Sequence, residues 1–172
     1  PRHTSGNAGT ALLQAALTTE NLRRAFKRVR ANKGAAGVDG LDINQTSHLL
    51  AVAWLGIREQ LLAGTYRPSP VRRVTIPKHG GGERELGIPT VLDRLIQQAL
   101  LQVLQPILDP TFSEHSHGFR PGRSAHQALS KLRDTLMEMG GGWALEVDIR
   151  RYFDTIDHEH LRAVLRQRIG DG

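Results

Sequence analysis

The chain has no cysteine among its 172 residues. That excludes disulfides and thiolate metal sites, and it fits a reducing cytoplasm. Aromatics are scarce as well, with two Trp, two Tyr and four Phe, so the few that exist are worth locating. No apolar run approaches the roughly 20 residues that a bilayer-spanning helix needs, and no membrane partner is expected. The first residues, PRHTSGNAGTALLQAALTTE, lack an uninterrupted apolar segment and read as a loose end leading into structure. Acid is in deficit: 17 Asp and Glu stand against 23 Lys and Arg, a formal net charge of +6. A surplus of that sign points to a polyanionic partner, nucleic acid before an acidic membrane surface. Hydrophobic content is 39%, enough to build a core.

What is present alternates between two periods. Leu22, Ala25, Phe26 and Val29 have helical spacing, and the opposite face carries Arg23, Arg24, Lys27, Arg28 and Arg30. That face is either a solvated surface or a stripe that meets nucleic acid. ANKGAAGVDGLD, with Gly34, Gly37 and Gly40, marks a loop that includes Lys33. A second helix is expected from about Thr46 to Ala63. RPSPVRRVTIPKHGGGERELGIP then reads as two short strands around a glycine tip, with Arg72, Val74 and Ile76 on one face. Thr90 and Asp93 have capping-box spacing and open a helix that Pro106 ends or kinks. Ser124 with Gln127 caps another helix, ending before Gly140. WALEVDI alternates as a strand does, with Glu146 and Asp148 sharing a face, and DHEHLRAVLRQRI is a last helix capped by Asp157. The fold class expected is α+β, with about three strands.

Chemistry concentrates in EVDIRRYFDTIDHEH, which holds five of the acids. A carboxylate on a half-buried strand is costly unless it is paired, solvated or bound to a cation. Asp148 is therefore a candidate ligand in two-metal phosphoryl transfer, or an edge-strand acid paired with an arginine. Asp157 reads as the helix cap, Glu159 as a first-turn acid at the positive helix end, and Asp154 as a turn-former bonding to backbone. His158 and His160 are two residues apart and do not share a helix face, which argues against a metal site there. Tyr152 and Phe153 are adjacent and are expected to point apart. In the hairpin, Arg72, Lys78 and Arg84 bracket HGGG and could clamp a triphosphate, or simply solubilise an edge. GFRPGRS adds Arg120 and Arg123, for phosphate contacts or for holding a loop against an acid.

NKGAAGVDG, GTYRPSPVRRVTIPK, RELGIPTVLDRLIQQAL, FRPGRSAHQAL and VDIRRYFDTIDH occur in one order. Together they resemble the N-terminal part of bacterial group II intron reverse transcriptases, or maturases, from about Leu12 onward. The resemblance implies a right-hand polymerase fold, fingers followed by the first part of the palm. It implies an N-terminal extension and helical fingers over 1–66, a fingers hairpin and helix over 67–120, and the start of the palm over 121–172. Asp148 would be the first of three catalytic aspartates that hold two Mg²⁺ ions, with the backbone carbonyl of Ile149 touching one of them. Phe153 would lie under the sugar of the incoming dNTP, and Lys78, Arg84 and, more weakly, Arg72 would grip its triphosphate. Arg23, Arg24, Lys27, Arg28, Arg30, Lys33, Arg120 and Arg123 would contact template and intron RNA, with a DNA primer or target as the further partner.

The sequence departs from the family pattern in two ways. His117 stands where an aromatic often precedes GFRP. No Y-x-D-D motif occurs, nor any Asp-Asp pair, so the chain is expected to be a truncated polymerase that does not extend primers alone. The rivals are a CRISPR-associated or retron-type reverse transcriptase, a non-catalytic RNA-binding module, and a nuclease using Asp148 with the DHEH histidines.

Overall fold

A computed structural model describes residues 8–77 and 79–169. Its contacts divide the chain into two compact units, one up to Gln105 and one from Pro106 to Ile169.

In the first unit, α1 (Ala8–Ala16) occupies part of the stretch expected to be a loose end. Six of its nine residues are Ala or Leu, a content that favours helix over coil. Thr18 caps α2 (Thr19–Ala31) by accepting the Asn21 N–H, and α2 buries Asn21, Ala25 and Val29 at a spacing of four. α3 (Ile43–Leu62) begins three residues earlier than its apolar period suggests. The reason is a complete capping box between Asp42 and Gln45, which starts the helix ahead of its first core residue. α4 (Val91–Leu108) buries Val91, Leu95, Ile96 and Ala99, and it continues past Pro106 to the end of that turn. Ala25, Leu95 and Ala99 form the core, with Leu22, Phe26 and Leu50 packed on it. The two alanines let α2 and α4 approach closely.

One buried amide ties these helices together. Asn21 Nδ2 donates to Ala16 O at 2.8 Å and to Ala99 O at 3.0 Å, while its Oδ1 accepts from Gln102 Nε2 at 2.8 Å and Arg24 Nη2 at 3.1 Å. A buried polar group with every bond made adds directionality to a core at little net cost.

The strands β1 (Arg72–Pro77) and β2 (Glu83–Ile88) pair antiparallel as the expected hairpin. A two-stranded ribbon is marginal by itself, and its root supplies the missing stability, as described below.

The second unit holds a short 3-10 turn (Asp109–Thr111), α5 (Ala125–Glu138), the one-turn α6 (Tyr152–Thr155) and α7 (His158–Arg166). α5 starts on a full Ser124–Gln127 capping box. The third strand is not formed. Residues 143–149 make no ladder among the described residues, whose sheet has two strands only. Both faces of the alternation are exposed, and its apolar face runs from Trp143 at 102% to Ile149 at 62%. Alternation records which face a strand would bury; without a neighbouring edge no ladder exists to enforce it.

Candidate nucleotide and nucleic-acid interface

On α2, Arg23, Arg24, Lys27, Arg28 and Arg30 are all exposed, as is Lys33 beyond its end. None of them forms an ion pair among the described residues. Arg23, Lys27 and Arg30 follow the i, i+4, i+7 spacing of one helix face. Arg28 and Arg30 in the last turn also suit the negative end of the helix dipole. Lys33 has φ 47°, a left-handed conformation just past the helix end that glycine fills more easily.

The loop after Lys33 is fixed on the start of α4. A Cβ at Gly37 would lie 2.6 Å from both N and Cα of Thr90, so that position has room only for glycine. Arg94 Nη2 donates to Ala35 O at 2.7 Å. Gly37 thus serves close backbone packing and Gly34 makes room for the Arg94 side chain, which spacing alone does not reveal.

Asp93 anchors the hairpin. It is 3% exposed and has no cation partner among the described residues, yet its oxygens are fully engaged. Oδ1 accepts the Tyr66 hydroxyl at 2.8 Å, and Oδ2 accepts the Ser69 N–H at 3.2 Å and the Thr90 hydroxyl at 2.6 Å. Thr90 Oγ1 in turn caps α4 by accepting the Asp93 N–H at 3.0 Å. One carboxylate therefore holds the chain entering β1 and the chain leaving β2. Burial, and then the bond to Asp93, push the Tyr66 phenol above its ordinary range. The Thr90–Asp93 spacing announces the cap; nothing in the sequence announces Tyr66 or Ser69 as its further partners.

The hairpin register places its cations. Arg72 faces Ile88 and Ile76 faces Arg84, so both arginines lie on one face together with Val74 and Leu86. They are four pairs apart, about 13 Å along the ribbon: Arg72 at the root, Arg84 next to the tip. The opposite face carries the exposed Arg73–Glu85 pair at 3.7 Å, of a kind worth little in water. Lys78 lies outside the described residues.

In the second unit Arg120 uses all five guanidinium donors. Nε and Nη2 meet the Asp109 carboxylate at 2.9 and 3.2 Å, Nη2 also reaches Asp109 O, and Nη1 donates to Ser113 O and Ser116 O. It also stacks over Phe112 at 5.6 Å. The side chain is 8% exposed, so its geometry is that of a loop organiser. Its bonds hold the Asp109 carboxyl below its ordinary range. Arg123 is exposed and gives one bond to Glu114 O at 3.0 Å.

Asp148 is exposed, with no hydrogen bond among the described residues, and Ile149 adjoins it in irregular backbone. Arg151 has φ 53° and turns the chain into α6. Asp154 there bonds the Arg151 guanidinium at 3.1 Å in place of the backbone partner expected. Tyr152 and Phe153 do not point apart: their rings meet edge to face at 5.5 Å, because a helical turn brings neighbours closer than a strand would. Phe153 remains 86% exposed. Asp157 caps α7, and its bonds from the His160 and Glu159 N–H groups lower its carboxyl pKa.

These donors can be tested against the Mg²⁺ pair that the resemblance implies. Two such ions need several carboxylate oxygens converging on rigid elements. No group of three His, Cys, Asp or Glu fit to hold a metal exists among the described residues. The residues present do not fit the pair by themselves.

Over residues 76–169 the chain matches the family described as Reverse transcriptase (RNA-dependent DNA polymerase). It is 41% identical over 165 residues to Protein YkfC of Escherichia coli, covering 93% of this chain and 43% of that protein. It is 40% identical over 149 residues to the group II intron-encoded protein LtrA of Lactococcus lactis, covering 86% of this chain and 24% of LtrA. Nuclear intron maturase 1 of Arabidopsis thaliana is 31% identical over 83 residues, 48% of this chain and 11% of the maturase. The chain thus spans less than half the length of these relatives, and no described helix is long and apolar enough to cross a membrane. A family match that runs from Ile76, within β1, through the Asp148 segment, together with intron-encoded and maturase relatives, makes the chain a member of the reverse transcriptase (RNA-dependent DNA polymerase) family, in its group II intron class.

Proposed function

We propose that this chain is the RNA- and nucleotide-handling part of a group II intron RNA-directed DNA polymerase. The observation that carries the reading is the family match over 76–169, which includes the end of β1, all of β2 and the Asp148 segment. In this reading residues 1–66 are the N-terminal extension and helical fingers, 67–120 the fingers hairpin and its helix, and 121–172 the start of the palm. The exposed cations Arg23, Arg24, Lys27, Arg28, Arg30, Lys33 and Arg123 neutralise phosphates of template and intron RNA, a sequence-tolerant contact. Arg120 takes no part in that contact and shapes the loop beside it. Arg84 near the hairpin tip and Arg72 at the root, together with Lys78, bind the triphosphate of a dNTP by charge-assisted hydrogen bonds. Phe153 offers a ring face to the sugar. Asp148, with the Ile149 carbonyl, is the contribution of this chain to a Mg²⁺-dependent site that extends a DNA primer.

The donor set found among the described residues favours a chain that binds RNA without extending it alone. Incubation with an RNA-templated DNA primer, dNTPs and Mg²⁺ tests this. The expected result is a template complex with no added nucleotides, and weaker dNTP crosslinking after Arg84→Ala. Primer extension by the chain alone contradicts the partial carboxylate set, and failure to bind RNA contradicts the reading as a whole.

A further inference from the structure

A cleft of about 320 Å³ opens in the first unit, lined by residues of α2, α3 and α4 that include Leu22, Arg23, Phe26, Ser47, Leu50 and Trp54. Its floor is apolar, and Thr19, Arg23 and Ser47 are its exposed polar lining. Phe26 and Trp54 make no aromatic pair with each other among the described residues, so neither ring is engaged by the other. No acid lines the cleft.

We infer that this cleft holds one unpaired nucleobase of a bound RNA strand. The inference rests on the RNA-binding reading above and adds a site to it. Single-stranded RNA is recognised by stacking splayed bases on aromatic or guanidinium planes while neighbouring cations take the phosphates. The cleft offers both halves of that recognition on one helix. Phe26 and Leu22 face inward from α2; Arg23 lines the mouth, and Lys27 and Arg30 continue its row at i+4 and i+7 with no ion pair among the described residues. Charge complementarity selects the occupant. An apolar peptide helix would fill the floor but would leave three adjacent cations without a counterpart, whereas a nucleotide brings a flat ring and a phosphate together. A volume near 300 Å³ is at the small end of ligand sites, suited to a single base.

Trp54 can report on this directly. The chain has two tryptophans, and Trp143 is fully exposed, so Trp143→Phe leaves Trp54 as the sole emitter. Titration with a single-stranded RNA 12-mer is expected to quench Trp54 emission, while inorganic polyphosphate of similar charge does not. Ser47→Leu blocks the mouth from an exposed helix position without touching the core; it is expected to abolish the quench and weaken RNA binding about tenfold, with polyphosphate affinity unchanged. Phe26→Ala should weaken RNA binding to a similar extent. If RNA binds with steep salt dependence but Trp54 emission and the Ser47→Leu affinity do not move, the cleft is not a base site, though the RNA-binding reading stands. If Trp54 emission shifts with protein concentration in the absence of RNA, the occupant is a second copy and the inference is overturned. If no RNA binds, the underlying reading fails as well.

Discussion

Asp93 and Arg120 do related work with opposite charges. Each gathers several hydrogen bonds at one buried or half-buried point, and each fixes a segment next to candidate site residues. Asp93→Ala would leave the Ser69 N–H and the Tyr66 and Thr90 hydroxyls without their acceptor, at about 1–3 kcal/mol for a stranded buried group. Urea denaturation of the first unit should show that loss, with Asp93→Asn nearly as damaging because its amide nitrogen cannot accept. Arg120→Lys retains charge but offers three donors from a single point, so it cannot serve Asp109, Ser113 and Ser116 together. Faster amide exchange across 109–120 is the expected readout. Acid should act on the same loop and on the start of α7. Asp109 and Asp157 have carboxyl pKa values lowered on folding, so the stability they supply is present above the ordinary carboxylate range of about 4. It is lost as pH falls through their lowered folded values. Tyr66 behaves in the opposite sense. Its raised pKa supplies stability below about pH 10 that is lost as pH rises toward the folded value. Denaturation midpoints of the second unit at low pH and of the first at high pH should separate the two effects. In the sequence Asp93 is legible as a cap and Arg120 as one of two alternatives; the further partners of Asp93 are not, because hydrogen bonds between residues 24 or 27 apart leave no local spacing to read, and those of Arg120 are irregular loop contacts 4 to 11 residues away that follow no helix or strand period.

Elements with local determinants were easier to read than those without. The α5 capping box and the paired hairpin follow from residues within a few positions of each other, and both occur as expected. The start of α3 was missed because Asp42 and Gln45 act before the first apolar position. Segment 143–149 fails as a strand for the converse reason: its alternation is local, but a ladder needs a partner edge. The loop with Gly34, Gly37 and Gly40 was legible as a break and not as a packing device. Gly37→Ala tests that difference. Its methyl would meet the Thr90 backbone, not a flexible side chain, so the loop must shift. A destabilisation of about 1–3 kcal/mol is expected, whereas Gly40→Ala, with open space but φ 70°, should cost only its backbone strain of about 1–2 kcal/mol.

At the scale of the whole molecule, the net charge of +6 gains meaning from where the cations stand. Those on α2 are exposed and form no ion pair among the described residues, Arg120 is fully committed to its loop, and Arg72 and Arg84 share one face of a ribbon whose root Asp93 holds. Composition alone pointed to a polyanion; the ordered motifs pointed to a polymerase family, and the family match bears that out. The site residues themselves stand in two units, and their roles remain the proposal made above. The most direct test of the RNA-handling claim is the salt dependence of affinity for single-stranded RNA, measured for the chain and for Arg23→Ala/Lys27→Ala/Arg30→Ala. The account predicts that log affinity falls linearly with log salt, and that the triple variant lowers the slope by about 2, at roughly 0.7 per lost phosphate contact. Affinity indifferent to salt, or a slope the triple variant leaves unchanged, would contradict it.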